Sequence, residues 1–89
     1  MKYKIQLTLK AKKDFLSLDI NVQKRIVQKL RFYISEKNCL EYAKKLKNPR
    51  LGTYRFRIGD YRIIFDVNKR GKISILLILK IKHRKDVYL

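Results

Sequence analysis

The sequence predicts an α+β domain in the order β-α-α-β-β-β, with two N-terminal helices packed on one face of a mostly antiparallel sheet. Three observations carry that prediction. Apolar residues recur at helical spacing through the first half of the chain. After Thr53 the period changes from 3.6 to 2. Pro49 and Gly52 punctuate the change.

The segment Tyr3 to Leu9 alternates and is rich in strand formers, so it reads as the first strand. Ala11, Phe15 and Leu18 then predict a short helix from about Lys10 to Leu18. Asp19 caps a second helix. Its apolar face is Val22, Ile26, Leu30 and Tyr33, and it ends near Lys37–Asn38. "LEYAKKL" reads as a helical turn, followed by "KNPRLG". "TYRFRI", "YRIIFDV" and "KISILLILKIK" are three strands joined by "GD" and "NKRG". With 89 residues and no repeat or Gly/Ser linker, residues 1–89 form one domain.

Charge bounds the partners. There are 24 Lys and Arg against 7 Asp and Glu, a formal net charge of +17. Such an excess works against compaction by self-repulsion and calls for a polyanionic partner, nucleic acid before an acidic protein or a membrane surface. Residues 44–89 carry 14 basic and 3 acidic side chains and are the expected binding half. The longest apolar run, "ISILLILKI", is too short to span a bilayer and is broken by Ser74 and Lys80. With a lone cysteine, Cys39, and no signal-peptide pattern, the expectation is a cytoplasmic protein without membrane association.

The turns allow a register. "Ile58-Gly59-Asp60-Tyr61" fits a two-residue type II′ hairpin, which sets Arg57 opposite Arg62 and Arg55 opposite Ile64. Tyr54, Phe56, Ile58, Tyr61, Ile63, Phe65 and Val67 then share the core face. "Asn68-Lys69-Arg70-Gly71" reads as a three-residue loop that pairs Asn68 with Lys72, Arg62 with Ile78 and Asp60 with Lys80. This register puts Lys80 and Lys82 on the arginine face together with Ile64, Leu76 and Ile78. Arg57 against Arg62 is a like-charge pair that disfavours folding locally. A phosphate between them would reverse that, since the guanidinium fork matches phosphate oxygens; relief by Asp60 or Asp66 is the alternative. The apolar residues among the cations call for cover, from the C-terminal segment or from a partner protein.

One His and one Cys far apart make no metal-ligand set, the carboxylates are scattered, and the three glycines sit in turns, so no cofactor is expected. Chemistry on RNA without a metal remains open. The 2′-hydroxyl can attack its own adjacent phosphate, Arg and Lys can stabilise the added negative charge, and Tyr, His or Lys can move protons.

"KKLKNPRLGTYRFRIGDYRIIFDV" and the closing "HRKDVY" together resemble the RelE/ParE superfamily of toxins of type II toxin–antitoxin systems. The resemblance spans most of the chain and implies the fold argued above. Its RelE-like branch implies a metal-free endoribonuclease, an mRNA interferase, acting on mRNA in the ribosomal A site. The partners would then be the ribosome, mRNA and a cognate antitoxin protein that wraps the toxin. The matching site positions are Arg55, Arg57, Arg62, Lys82 and Tyr88, with Lys80 and Arg84 as further basic residues. The RelE branch has lysines where this chain has Arg55 and Arg57. Arginine stays protonated, so these two would bind phosphate and RNA, leaving Lys82, His83 and Tyr88 for proton transfer. Strict alternation turns His83 toward the core face, away from Lys82, so a packing role stands beside the catalytic one. Tyr88 has two readings as well, a catalytic group or a staple for the tail. A ParE-like toxin that inhibits gyrase without hydrolysis, or a non-catalytic RNA-binding relative, would share the same fold.

Overall fold

In the computed structural model, which describes residues 2–48, 50 and 52–87, the elements are β1 (Lys2–Leu7), α1 (Leu9–Leu16), α2 (Ile20–Ser35), a 3-10 turn (Cys39–Tyr42), β2 (Ala43–Lys45), β3 (Tyr54–Ile58), β4 (Tyr61–Arg70), β5 (Ile73–His83) and α3 (Arg84–Val87). The α+β class and the order of the long elements agree with the sequence. The sheet is mixed, ordered β1-β5-β4-β3-β2, with β1 parallel to β5 and all other pairs antiparallel. Two elements are additions. The expected helical turn is present as the 3-10 turn Cys39–Tyr42 but gives way to β2 at Ala43, and the single turn of α3 follows the last strand. None of the described helices is long and apolar enough to cross a membrane.

Both long helices start on side-chain caps. Thr8 Oγ1 accepts from Ala11 N at 3.1 Å, and Asp19 Oδ1 accepts from Asn21 N at 2.8 Å. These caps begin α1 one residue before the expected start and α2 directly after the expected cap. β1 stops at Leu7, opposite Ile78, leaving the rest of β5 without a strand on that side. The first helix supplies the missing partners. Thr8 Oγ1 donates to the Leu79 carbonyl at 3.1 Å, and Asp14 Oδ2 accepts from Ile81 N at 3.0 Å. A buried strand edge is thereby satisfied by side chains, as backbone polar groups away from water require.

The β3–β4 hairpin has the expected register, with Ile58 opposite Tyr61, Arg57 opposite Arg62 and Arg55 opposite Ile64. The β4–β5 hairpin does not. β4 runs on to Arg70, which pairs with Ile73, so the loop is the two residues Gly71 and Lys72. Gly71 has φ +61, as a Gly-first hairpin turn needs. Asn68 therefore faces Ile75 rather than Lys72, and Val67 faces Leu76. A bulge then shifts the register. Phe65 pairs with Ile78 but Ile64 pairs with Lys80, leaving Leu79 as the extra residue in β5. Arg62 consequently lies opposite Lys82, not Ile78. Leu76 and Ile78 belong to the core, each 1% exposed, not to the arginine face. Burying each of these side chains is worth roughly 1.5–3 kcal/mol, which exceeds the cost of one irregular strand step.

The core lies between the helices and one sheet face. Ala11, Ile26, Leu30 and Tyr33 meet Phe56, Ile58, Ile63, Phe65, Leu76, Ile78 and Ile81. An aromatic ladder crosses it, with Tyr42 on Tyr33 at 5.0 Å, Tyr33 on Phe56 at 4.6 Å and Phe56 on Phe65 at 4.5 Å. Cys39 is fully buried beside Tyr3, and burial pushes its thiol above the ordinary range.

Truncating the centre of this ladder, Phe56→Ala, should lower unfolding free energy by about 3–5 kcal/mol in a urea titration. Phe32→Ala, at a half-exposed ring, should cost far less. Cys39 should resist thiol reagents in the native protein and react at the rate of unfolding, because the thiolate is both buried and disfavoured.

Candidate functional site

The sheet face away from the helices collects the cations. Alternation in β3 and β4 puts Phe56, Ile58, Ile63 and Phe65 inward, so Arg55, Arg57 and Arg62 point to the other face. In β5 the bulge restores the same sense beyond Leu79, with Ile81 inward and Lys80 and Lys82 outward. Two rows result. Arg57, Arg62 and Lys82 are successive partners across β3, β4 and β5. Lys44, Arg55, Ile64 and Lys80 form the next row across β2 to β5. Sequence reasoning missed Lys44, because a three-residue strand shows too little alternation to be recognised.

Arg62 is the unusual member. It is 3% exposed, and its Nη1 donates to the carbonyls of Gly59 and Tyr61, both at 3.2 Å. Its Nε is buried without a hydrogen-bond partner among the described residues. The two carboxylates that could neutralise the row are engaged elsewhere. Asp66 Oδ1 accepts from Thr53 N at 2.9 Å and from Thr53 Oγ1 at 2.7 Å. Asp60 lies 3.7 Å from Arg84 Nε, and its carbonyl accepts from Arg84 N at 2.7 Å. A buried guanidinium with like charges on both flanks and an unpaired donor is costly in isolation. An anion bound beside Arg57 and Lys82 would offset the charge of the row.

The cover over Ile64 comes from the chain itself. The loop between β2 and β3 closes through Leu46 N to the Thr53 carbonyl at 2.9 Å, and the Thr53–Asp66 clasp holds it on the sheet. Gly52, at φ +135, packs so closely that an added Cβ would lie 2.6 Å from Ile64 Cγ2 and 3.1 Å from Leu79 Cδ1. Ile64 is 4% exposed as a result.

The structure brings together Arg55, Arg57, Arg62, Lys80 and Lys82. It does not bring His83 to them. His83 pairs with Tyr61 on the helix face, its ring edge-on to Tyr61 at 5.2 Å, and its Nδ1 accepts from Lys85 N at 3.2 Å. Arg84 is exposed at the start of α3. Tyr88 lies outside the described residues.

Residues 5–88 match the family described as ParE toxin of type II toxin–antitoxin system, parDE. Toxin RelG of Mycobacterium tuberculosis is 26% identical over 88 residues, covering 99% of this chain and 98% of RelG. The archaeal RelE–RelB complex from Pyrococcus horikoshii contains a chain 30% identical, with a TM-score of 0.68 and coverage of 94% and 97%. The RelBE2 toxin–antitoxin complex from Mycobacterium tuberculosis gives a TM-score of 0.74 at 24% identity, with coverage of 94% and 100%, which speaks for the fold alone.

Replacing the buried cation by an apolar side chain of similar length, Arg62→Met, should leave the protein as stable as the wild type or more so in urea at low anion concentration. Added sulfate should raise the wild-type melting temperature and leave that of Arg62→Met nearly unchanged.

Proposed function

This chain belongs to the ParE-toxin family of type II toxin–antitoxin systems, within the RelE/ParE superfamily, and from that membership and its cationic rows we propose that it is an endoribonuclease cleaving mRNA on the ribosome. The observation that carries this reading is Arg62, buried, without a carboxylate partner among the described residues and flanked by Arg57 and Lys82. A surface meant only for protein contact gains nothing from a desolvated guanidinium with a free Nε. A phosphate seated against Arg57 and Lys82 would separate the facing charges and lower the cost of the buried guanidinium between them.

In the proposed reaction the RNA supplies its own nucleophile. The 2′-oxygen forms a bond to the adjacent phosphorus and the bond to the 5′-oxygen breaks, leaving a 2′,3′-cyclic phosphate and a 5′-hydroxyl. One proton leaves the 2′-hydroxyl and one reaches the departing 5′-oxygen. Negative charge grows on the phosphoryl oxygens in between, which is where Arg57, Arg62 and Lys82 would act. Arg55, Lys44 and Lys80 would hold flanking phosphates. Arginine cannot take a proton at neutral pH, so proton transfer falls to Lys82 and, from the resemblance, to Tyr88. Arg84 would remain a secondary RNA contact. His83, turned to the helix face beside Tyr61, would act through the position of α3 rather than on the phosphate.

A cognate antitoxin is the second partner in this reading. A groove of about 520 Å³ between α2 and β1, lined by Ile5, Ile26, Leu30 and Ile34, offers it an apolar seat next to an edge strand. The strongly basic toxin favours an acidic one.

Inducing the chain alone should arrest growth, and primer extension should map cuts inside translated codons that vanish when translation of that message is blocked. Arg62→Ala and Arg57→Ala should each lower cleavage about 10²–10³-fold with folding intact, and Tyr88→Phe should relieve the arrest. Intact mRNA together with inhibited gyrase supercoiling would instead identify a ParE-like gyrase inhibitor. Neither effect would leave a non-catalytic RNA-binding relative.

A further inference from the structure

The same sheet face carries a second cationic cluster at its opposite end. The row Lys2, Ile73 and Arg70 crosses β1, β5 and β4, and the next row is Lys4, Ile75 and Asn68. Lys2 N donates to the Lys72 carbonyl at 3.4 Å, which sets the start of β1 beside the β4–β5 turn. Lys2, Lys4, Arg70 and Lys72 are all exposed. Lys2 and Lys4 point away from the helices, since Tyr3 and Ile5 between them pack on the core. Among the described residues none of the four has a carboxylate in ion-pair range; the pairs found are Lys10–Asp14 and Arg84–Asp60.

Arg70 stands eight positions along β4 from Arg62, about 26 Å at ~3.3 Å per residue. The longest dimension of the molecule is 35 Å, so the clusters occupy two ends of one face. The ground between them is not cationic. It holds the row Gln6, Leu77 and Asp66, with Asp66 locked to Thr53. A flexible strand threading from one cluster to the other would cross a carboxylate and an apolar patch. The far cluster also lacks the means to read single strands. Among the described residues the exposed aromatic side chains are Phe32 and Tyr42, on α2 and the 3-10 turn, and neither lies in this cluster to stack on a base. What remains is recognition of the phosphate backbone of a stiff, double-helical segment.

We propose that Lys2, Lys4, Arg70 and Lys72 form a second binding site, for the backbone of double-helical RNA, separate from the row around Arg62. The proposal rests on the RNA reading above. It assigns the two ends of the sheet different tasks, one holding a structured RNA and the other taking a single strand.

The test uses the purified full chain and three probes: an RNA duplex of about 16 base pairs, a DNA duplex of the same length and a short unstructured RNA. Anisotropy titrations over a range of KCl concentration give affinity and salt slope. In the variant Lys2→Gln, Lys4→Gln, Arg70→Gln, Lys72→Gln, RNA-duplex affinity should fall at least tenfold, and the slope of log K against log salt should become shallower by about 3. Binding of the unstructured RNA should stay within twofold. Arg57→Gln with Arg62→Gln should give the opposite pattern, and Lys→Arg at positions 2, 4 and 72 should keep duplex binding. Unchanged duplex affinity in the fourfold variant would overturn the site. So would equal loss on both RNA probes, tighter binding of the DNA duplex, or equal competition by polyglutamate. If Arg57→Gln with Arg62→Gln still cleaves mRNA in cells, the active-site reading fails while the duplex result stands on its own.

Discussion

An extra residue in β5 makes the two faces of this protein possible. Without the bulge at Leu79, a strand that turns Leu76 and Ile78 to the helices would turn Lys80 and Lys82 there too, and would put Ile81 outside. With it, one strand satisfies a hydrophobic core at one end and completes a cationic row at the other. The bulge lies where β1 has ended, so β5 pairs with only β4 at that level and can bend. Thr8 and Asp14 then tie the freed edge to α1. The core, the first helix cap and the position of Lys82 all follow from that single step.

The electrostatics of the far face follow a similar division. The chain spends its scarce carboxylates on architecture, with Asp14 on a strand amide, Asp19 on a helix start, Asp60 on α3 and Asp66 on the β2–β3 loop. Among the described residues no carboxylate forms an ion pair with Arg57, Arg62 or Lys82. The row therefore stays poised for an external anion, and folding carries the strain of like charges in register. A core of stacked rings and packed aliphatics, with Phe56, Phe65 and Ile63 fully buried, offsets that strain.

Most of this was legible in the residues, and what was not has physical causes. The β3–β4 hairpin could be read because Gly59 and Asp60 admit one tight turn and the flanking residues alternate cleanly. The β4–β5 hairpin could not. Asn68, Lys69 and Arg70 look like loop residues by composition, yet they extend β4 because pairing them lets Leu76 and Ile78 reach the core. A bulge leaves no mark in a run as apolar as "ISILLILKI". β2 is three residues long and takes its conformation from β3 rather than from its own sequence. Of the candidate site, Arg55, Arg57, Arg62, Lys80 and Lys82 do share a face. Lys44 was hidden with β2, and the placement of His83 beside Tyr61 followed from simple alternation.

The pairing of the first strand with the last has a consequence for synthesis. β1 is made well before β5, its neighbour in the sheet. Until β5 is made the nascent chain can form its helices and the β3–β4 hairpin but cannot close the sheet, because a contact between distant segments waits for the later one. Lys82 lies near the end of β5, so the cationic row around Arg62 cannot assemble before that strand has been made.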